Sequence, residues 1–292
     1  LCIQKTINLS IHPRNTGNFK PDGGAMYGVV PKSLWSRTNP ADSNNMCDWS
    51  MRCMLIEDGD RLILIDTGIG DKQDEKFFSH FYLSDENIFE PNLKKLGFGL
   101  DDITDVFLTH LHFDHCGGAI KRKKDDKGFE PVFKNATYWS TEKHWKWATE
   151  PNAREKASFL KENILPIQES GQLKFIDRQG DFTKNVFNNF DVLFVDGHTE
   201  SMMIPHIHYK EKTLVFMADL LPSVGHLPLP YVMGYDTRPL ITLSEKEKFL
   251  NTAVANDFVL FLEHDYHNEC CTLQQTERGV RLNETFHFSE LF

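Results

Sequence analysis

Short apolar runs, alternating or continuous and separated by turn residues, dominate the chain, a pattern of strands more than of long helices. In the first third they are IQKTINLSI (3–11), MRCMLIED (51–58) and RLILIDTG (61–68). The turn Glu57–Asp58–Gly59–Asp60 predicts a hairpin between the last two. After Gly68 and Gly70 the period becomes helical through DKQDEKFFSHFY, and PNLKKLG predicts a second helix closed by its glycine. ITDVFLTH (103–110) and ATYWS (136–140) are short buried strands, and residues 141–164 read as two helices carrying Trp145, Trp147, Phe159 and Leu160. Strands return at NFDVLFVDG (189–197), MMIPHIHYK (202–210) and KTLVFMAD (212–219). The helix LSEKEKFLNTAVAN (243–256) follows, then the strand FVLFLEHD (258–265) and a closing strand and tail. Strands in both halves with helices between them predict an α+β fold. Two sheets pack face to face with helices outside, in one domain spanning 1–292.

Composition narrows the function. The 292 residues carry a formal net charge of -10, which argues against a polyanionic partner such as nucleic acid. The one basic run, Lys121–Lys124, is followed at once by Asp125 and Asp126 and reads as a solvated loop. No apolar run approaches the ~20 residues of a membrane span. The six cysteines form no repeated CxxC pair, and Cys270 and Cys271 are adjacent. A reduced, cytoplasmic setting is the simpler expectation. Export stays open because the sequence starts at Leu1. A homodimer also stays open.

The chemistry concentrates in THLHFDHCGG (109–118). A packed core rejects so many polar groups unless each finds a partner. His110 and His112 sit two apart on an extended segment and point the same way, while Asp114 and His115 follow on a turn. Imidazole with carboxylate suits zinc and related divalent ions. His198, Asp219 and His264 each follow or end a buried strand, where α/β proteins place chemistry. One such residue would ordinarily cap a turn. The set exceeds one tetrahedral site and points to two divalent metals.

The pattern HxHxDH, with His198, Asp219 and His264, resembles the metallo-β-lactamase superfamily. LILIDTGIG (62–70) is similar to its early strand-turn signature, with Asp66 supporting the site from beneath. The resemblance runs from about residue 50 to 265. It implies an αββα sandwich with a dinuclear site between the sheet edges. It implies that His110, His112 and His198 hold the first metal, that Asp114, His115 and His264 hold the second, and that Asp219 bridges them. A bridging carboxylate resembles lactonases, thioesterases and phosphodiesterases more than true β-lactamases.

Within the superfamily, HLHFDHCGG, the long middle insertion, the MAD strand and LEHD resemble quorum-quenching N-acyl-homoserine lactone lactonases. The implied reaction is attack of a metal-bridging hydroxide on the lactone carbonyl, with Asp114 moving the proton. The implied cofactors are two divalent ions, zinc by default. The implied partner is a small amphipathic lactone. Many such lactonases carry a tyrosine three residues after the bridging aspartate; here that position is Pro222. His226 is the expected substitute, with Tyr231 and Tyr235 in the same segment. The departure keeps a phosphotriesterase or other esterase of the same fold as the alternative. The insertion 141–185 is expected to form a helical lid, with Trp139, Trp145, Trp147 and Phe159 lining an acyl channel. His206 and His208 are left outside the ligand set, and Cys116 is read as packing beneath the metal loop.

Overall fold

The computed structural model describes residues 9–83, 89–125 and 127–291. The apolar run 3–11 lies mostly outside them, as do Cys2 and Asp126. Among the described residues, the first half contributes β1 (Ser10–Phe19), β2 (Trp49–Asp58), β3 (Arg61–Ile65), β4 (Asp105–Phe107), the small hairpin β5 (Ile120–Arg122) and β6 (Phe129–Pro131), β7 (Thr137–Ser140) and β8 (Leu173–Phe175). The second half contributes β9 (Phe182–Phe187), β10 (Phe190–Val195), β11 (Met202–Tyr209), β12 (Lys212–Phe216), β13 (Val259–Phe261), β14 (Cys270–Thr276) and β15 (Gly279–Phe286). One sheet runs β1-β2-β3-β4-β7-β8, and the other runs β15-β14-β13-β12-β11-β10-β9.

The sandwich follows from which side chains each strand buries. In β2, Met54 and Ile56 enter the core between the sheets, against Ile204, Ile207, Leu214 and Phe216 of the other sheet. Cys53 and Leu55, on the opposite face of the same strand, join a second cluster with Leu93, Trp145, Ile164 and Ile167 from the helices outside. A strand buried on both faces reads as a continuous apolar run, as MRCMLIE does. The helices are α1 (Gly23–Tyr27), α2 (Lys32–Trp35), α3 (Glu75–Phe78), α4 (Phe89–Lys95), α5 (Phe113–Cys116), α6 (Glu142–Thr149), α7 (Lys161–Glu169), α8 (Pro239–Ala255) and α9 (Phe288–Leu291). Helix α8 lays Phe249, Leu250 and Ala253 on the second sheet, which completes the αββα order.

Several expectations change in detail. The insertion 141–185 is helical only in α6 and α7. Its later part supplies β8 to the first sheet and β9 to the second. The helical period after Gly70 gives a single turn, α3, capped by Asp74 and followed by Phe81, which packs with Phe77 and Phe113. CCTLQQT, half polar, carries no strand signal in the sequence yet forms β14; its Cys270 and Cys271 are buried and its Gln274 and Gln275 exposed. The described cysteines Cys47, Cys53, Cys116, Cys270 and Cys271 are all free and buried. No helix among the described residues is long and apolar enough to cross a membrane.

The topology gathers strand ends. β3 and β4 are parallel neighbours in one sheet, and β12 and β13 are parallel neighbours in the other. Their C-terminal ends meet along one edge of the sandwich. Backbone bonds stitch that edge: Ser50 N donates to His264 O at 3.1 Å, and Met203 N donates to Thr109 O at 2.9 Å.

Candidate metal centre

Each expected ligand leaves a strand end and turns inward. His110 and His112 follow β4, and Asp114 and His115 lie on α5. His198 follows β10, Asp219 follows β12 and His264 follows β13. The exit of β12 holds Ala218 in the left-handed region (φ 42), and Asp66 lies there too (φ 55), at the end of β3, the neighbour of β4. Such strain survives only where surrounding contacts over-determine it.

The seven side chains fall into two groups. His110, His112, His198 and Asp219 form one, and Asp114, His115 and His264 the other; within each, the candidate ligand atoms lie within 4.8 Å of one another. Asp219 reaches both. Its Oδ2 is 3.1 Å from His198 Nε2, and its Oδ1 is 3.1 Å from His264 Nε2 and 3.6 Å from His115 Nε2. His112 Nδ1 lies 3.1 Å from both His110 Nε2 and His198 Nε2, and His264 Nε2 lies 3.2 Å from His115 Nε2.

The outer nitrogens are anchored. His198 Nδ1 donates to Asp236 Oδ1 at 2.7 Å, and His264 Nδ1 donates to Ser50 O at 2.8 Å. His115 Nδ1 donates to Asp66 Oδ2 at 3.1 Å. His110 Nδ1 meets Thr109 Oγ1 at 3.2 Å, and that hydroxyl donates to Asp66 Oδ2 at 2.6 Å. With the proton on Nδ1, each of these rings presents the Nε2 lone pair inward, the form a metal requires.

The residues fit two divalent cations. Asp219 Oδ1 is buried and makes no hydrogen bond, although two imidazoles stand near it. Burial alone would lower every buried histidine. It does so for His110 and His112, helped by neighbouring imidazoles. At His198 and His264 burial is overridden by the Asp219 carboxylate, which raises them to about 10 and about 9. His115 also rises, with burial opposed by Glu263, Asp114 and Asp219. The carboxylates thus favour positive charge at His115, His198 and His264 in a buried site, as a cation site requires.

The centre floors a cavity of about 410 Å³. Phe19, Met26, Phe77, Phe81, Phe113, Leu160 and Met233 wall it, and Asp114, His112, His198, Asp219, His264, Tyr235, His80 and Ser158 are its polar lining.

The structure does not bring His226 into this cavity. The His226 ring is 1% exposed and stacks on Tyr27 at 4.4 Å. Its Nδ1 pairs with Ser223 Oγ at 2.8 Å, and its Nε2 donates to Met26 O at 2.9 Å. Both nitrogens are engaged by protein, so His226 fastens the 220s loop to α1. Tyr231 packs edge-on against Tyr27. Of the three polar residues expected here, Tyr235 lines the cavity. The expected tryptophans do not line it either. Trp145 is buried among the outer helices. Trp147 Nε1 donates to Glu155 and Trp139 Nε1 donates to Asp105. The insertion reaches the cavity through Ala157, Ser158 and Leu160. Cys116 is buried under the metal loop, its thiol bonded to Leu111 O at 3.3 Å.

Sequence reasoning passed over Asp236, Ser50 and Glu263. Asp236 follows Tyr235 in GYD, and its partner His198 lies 38 residues away in the chain, so no local pattern pairs them. Ser50 acts through its carbonyl, which no side-chain pattern reveals. Glu263 is fully buried with Oε2 3.2 Å from His115 Nδ1, and burial beside Asp66 pushes its carboxyl up to about 8.

Residues 51–264 match the metallo-beta-lactamase superfamily. The chain belongs to that superfamily. Among its relatives, the N-acyl homoserine lactonase of Bacillus cereus is 24% identical over 264 residues, covering 86% of this chain and 93% of that one. A probable metal-dependent hydrolase from Staphylococcus aureus superposes with a TM-score of 0.84 at 28% identity, over 97% of this chain and 100% of that one. AidC, a dizinc quorum-quenching lactonase solved with its product, superposes with a TM-score of 0.76 at 23% identity, over 97% of each chain. The last likeness is one of fold.

Proposed function

We propose that this superfamily member is a dinuclear metal-dependent hydrolase that opens the ring of N-acyl-homoserine lactones. The observation that carries the reading is the pair of His/Asp clusters sharing Asp219 at the floor of an apolar-walled cavity. His110, His112 and His198 would hold one ion, Asp114, His115 and His264 the other, and Asp219 both. Two divalent ions there, zinc suiting the ligand set best, would supply Lewis acidity and bring the pKa of a water to roughly 7.

The side chains account for the rest. Asp114 faces the cavity with its Oδ2 3.9 Å from His264 Nε2. It accepts the proton of the attacking water and returns it to the ring oxygen as the acyl carbon–oxygen bond breaks. The products are one carboxylate and one alcohol on a single opened chain, and the remaining proton of the water is released to solvent. Tyr235 lines the cavity, and its phenol, a donor at neutral pH, would hold a substrate carbonyl. Phe77, Phe81, Phe113 and Met233 give an acyl chain an apolar wall.

The test is a substrate panel on zinc-loaded and chelated protein, comparing short- and long-chain acyl-homoserine lactones with a phosphotriester and an aryl ester. Ring opening that is fastest on the lactones, lost on chelation and restored by metal is the expected result. A preference for the phosphotriester or the aryl ester would transfer the same site to that reaction. In the same assay Tyr235→Phe should lower lactone kcat/KM about tenfold, the scale of one lost hydrogen bond to the reacting group. An unchanged value would remove Tyr235 from substrate binding.

A further inference from the structure

His112 is turned the opposite way from its neighbours. The other four cluster histidines direct Nε2 inward and anchor Nδ1. His112 directs Nδ1 toward His110 and His198, and its Nε2 is buried with no hydrogen-bond partner. A neutral imidazole that gives its Nδ1 lone pair to a metal carries its proton on Nε2. A buried N–H of that kind needs an acceptor. The carboxylate facing it is Glu155, whose Oε1 is 3.7 Å away.

Glu155 comes from the segment between α6 and α7 and is 3% exposed. Its carboxylate is pinned from three sides. Thr199 Oγ1 donates to Oε1 at 2.7 Å, while Trp147 Nε1 at 2.7 Å and Asn152 Nδ2 at 2.5 Å donate to Oε2. Thr199 is next to His198, so one oxygen lies between the neighbourhoods of two cluster histidines. The same insertion grips the histidine loop elsewhere. Leu111 N donates to His144 Nε2 at 2.9 Å, Phe113 N donates to Ser158 O at 3.0 Å, and the Phe159 ring lies 4.8 Å from that of His112.

We infer that Glu155 is a positioning residue of the metal centre, accepting the outward N–H of His112, and that through it the insertion sets how firmly the first metal is held. The inference rests on the two-metal reading of the site. The competing role is that of a buried loop carboxylate satisfied by its three donors, which would matter for stability alone.

Metal release separates the two. Zinc-loaded wild type and Glu155→Gln are mixed with excess chelator. Zinc content and the rate of each release phase are recorded, along with the unfolding midpoint of both metal-free proteins. Gln keeps the shape and loses the charge. The expected result is two ions bound to each protein, one of them released about 10–100-fold faster from the variant, with similar metal-free midpoints. Glu155→Asp, which keeps a carboxylate, should fall between the two. Unchanged release of both ions overturns the inference, whatever happens to stability, and so does release from Glu155→Asp faster than from Glu155→Gln. Wild type that binds fewer than two ions overturns the two-metal reading itself. Nitrogen-detected imidazole spectra of the zinc-loaded wild type require no variant: His112 should be ligated through Nδ1 with a slowly exchanging Nε2–H. Ligation through Nε2 would overturn the inference.

Discussion

Asp114→Asn should lower kcat on the lactone by about 10²–10⁴, the range a positioned acid–base group supplies, while KM changes by only a few fold. The side chain faces the cavity beside Asp219, His198 and His264, where an attacking water must enter. The amide keeps the shape and can still offer an oxygen to a metal, but it cannot take up a proton. An interaction made only as the reaction proceeds is lost from kcat and kcat/KM together. Steady-state kinetics at saturating zinc, with zinc content measured on the same samples, checks this. A kcat within threefold of wild type at full metal loading would leave Asp114 as a ligand only. Loss of one metal with normal turnover at high zinc would give the same answer by another route.

The contrast between Asp114 and His226 shows what the sequence carries. Ligands at strand ends are legible because each follows a continuous apolar run, and such a run, buried on both faces in β2, β12 and β13, fixes where its end must lie. Four runs ending in His or Asp therefore announce a common site. His226 and Tyr235 both lie in the loop between β12 and α8, and no periodicity says which of them faces the cavity. That choice is made by α1, a five-residue helix capped by Asp22 that has no apolar period of its own. It supplies Tyr27, on which His226 stacks, and the Met26 carbonyl that accepts its Nε2–H hydrogen bond. Supporting carboxylates are hidden for the same reason. Asp236 and Glu155 acquire meaning from histidines 38 and 43 residues away in the chain, at positions 198 and 112.

Asp66 is the exception among the supporting groups, legible because DTGIG and HCGG are halves of one structure. Thr67 N donates to His115 O at 2.7 Å, Gly118 N donates to Gly68 O at 2.8 Å, and the Asp66 carboxylate receives Thr109 N at 2.8 Å. The two backbones touch because the glycines lack side chains. A Cβ on Gly118 would lie 2.1 Å from Thr67 O, and one on Gly117 would lie 2.1 Å from Ile69 O. Both obstacles are main chain, held by the bonds just described, so no side-chain rotation relieves them. Gly118→Ala should therefore cost about 3 kcal/mol or more of stability, at the upper end of overpacking effects. It should also pull His115 away from Asp66 before the sheets themselves separate. Urea unfolding of the metal-free protein measures the first effect, and zinc content the second, with the ion held by Asp114, His115 and His264 expected to leave first. An unfolding free energy within about 0.5 kcal/mol of wild type, the ordinary range for harmless surface changes, together with two retained ions, would mean that the 67–70 turn can back away. Asp66 would then act on His115 from a less fixed position than its bonds imply.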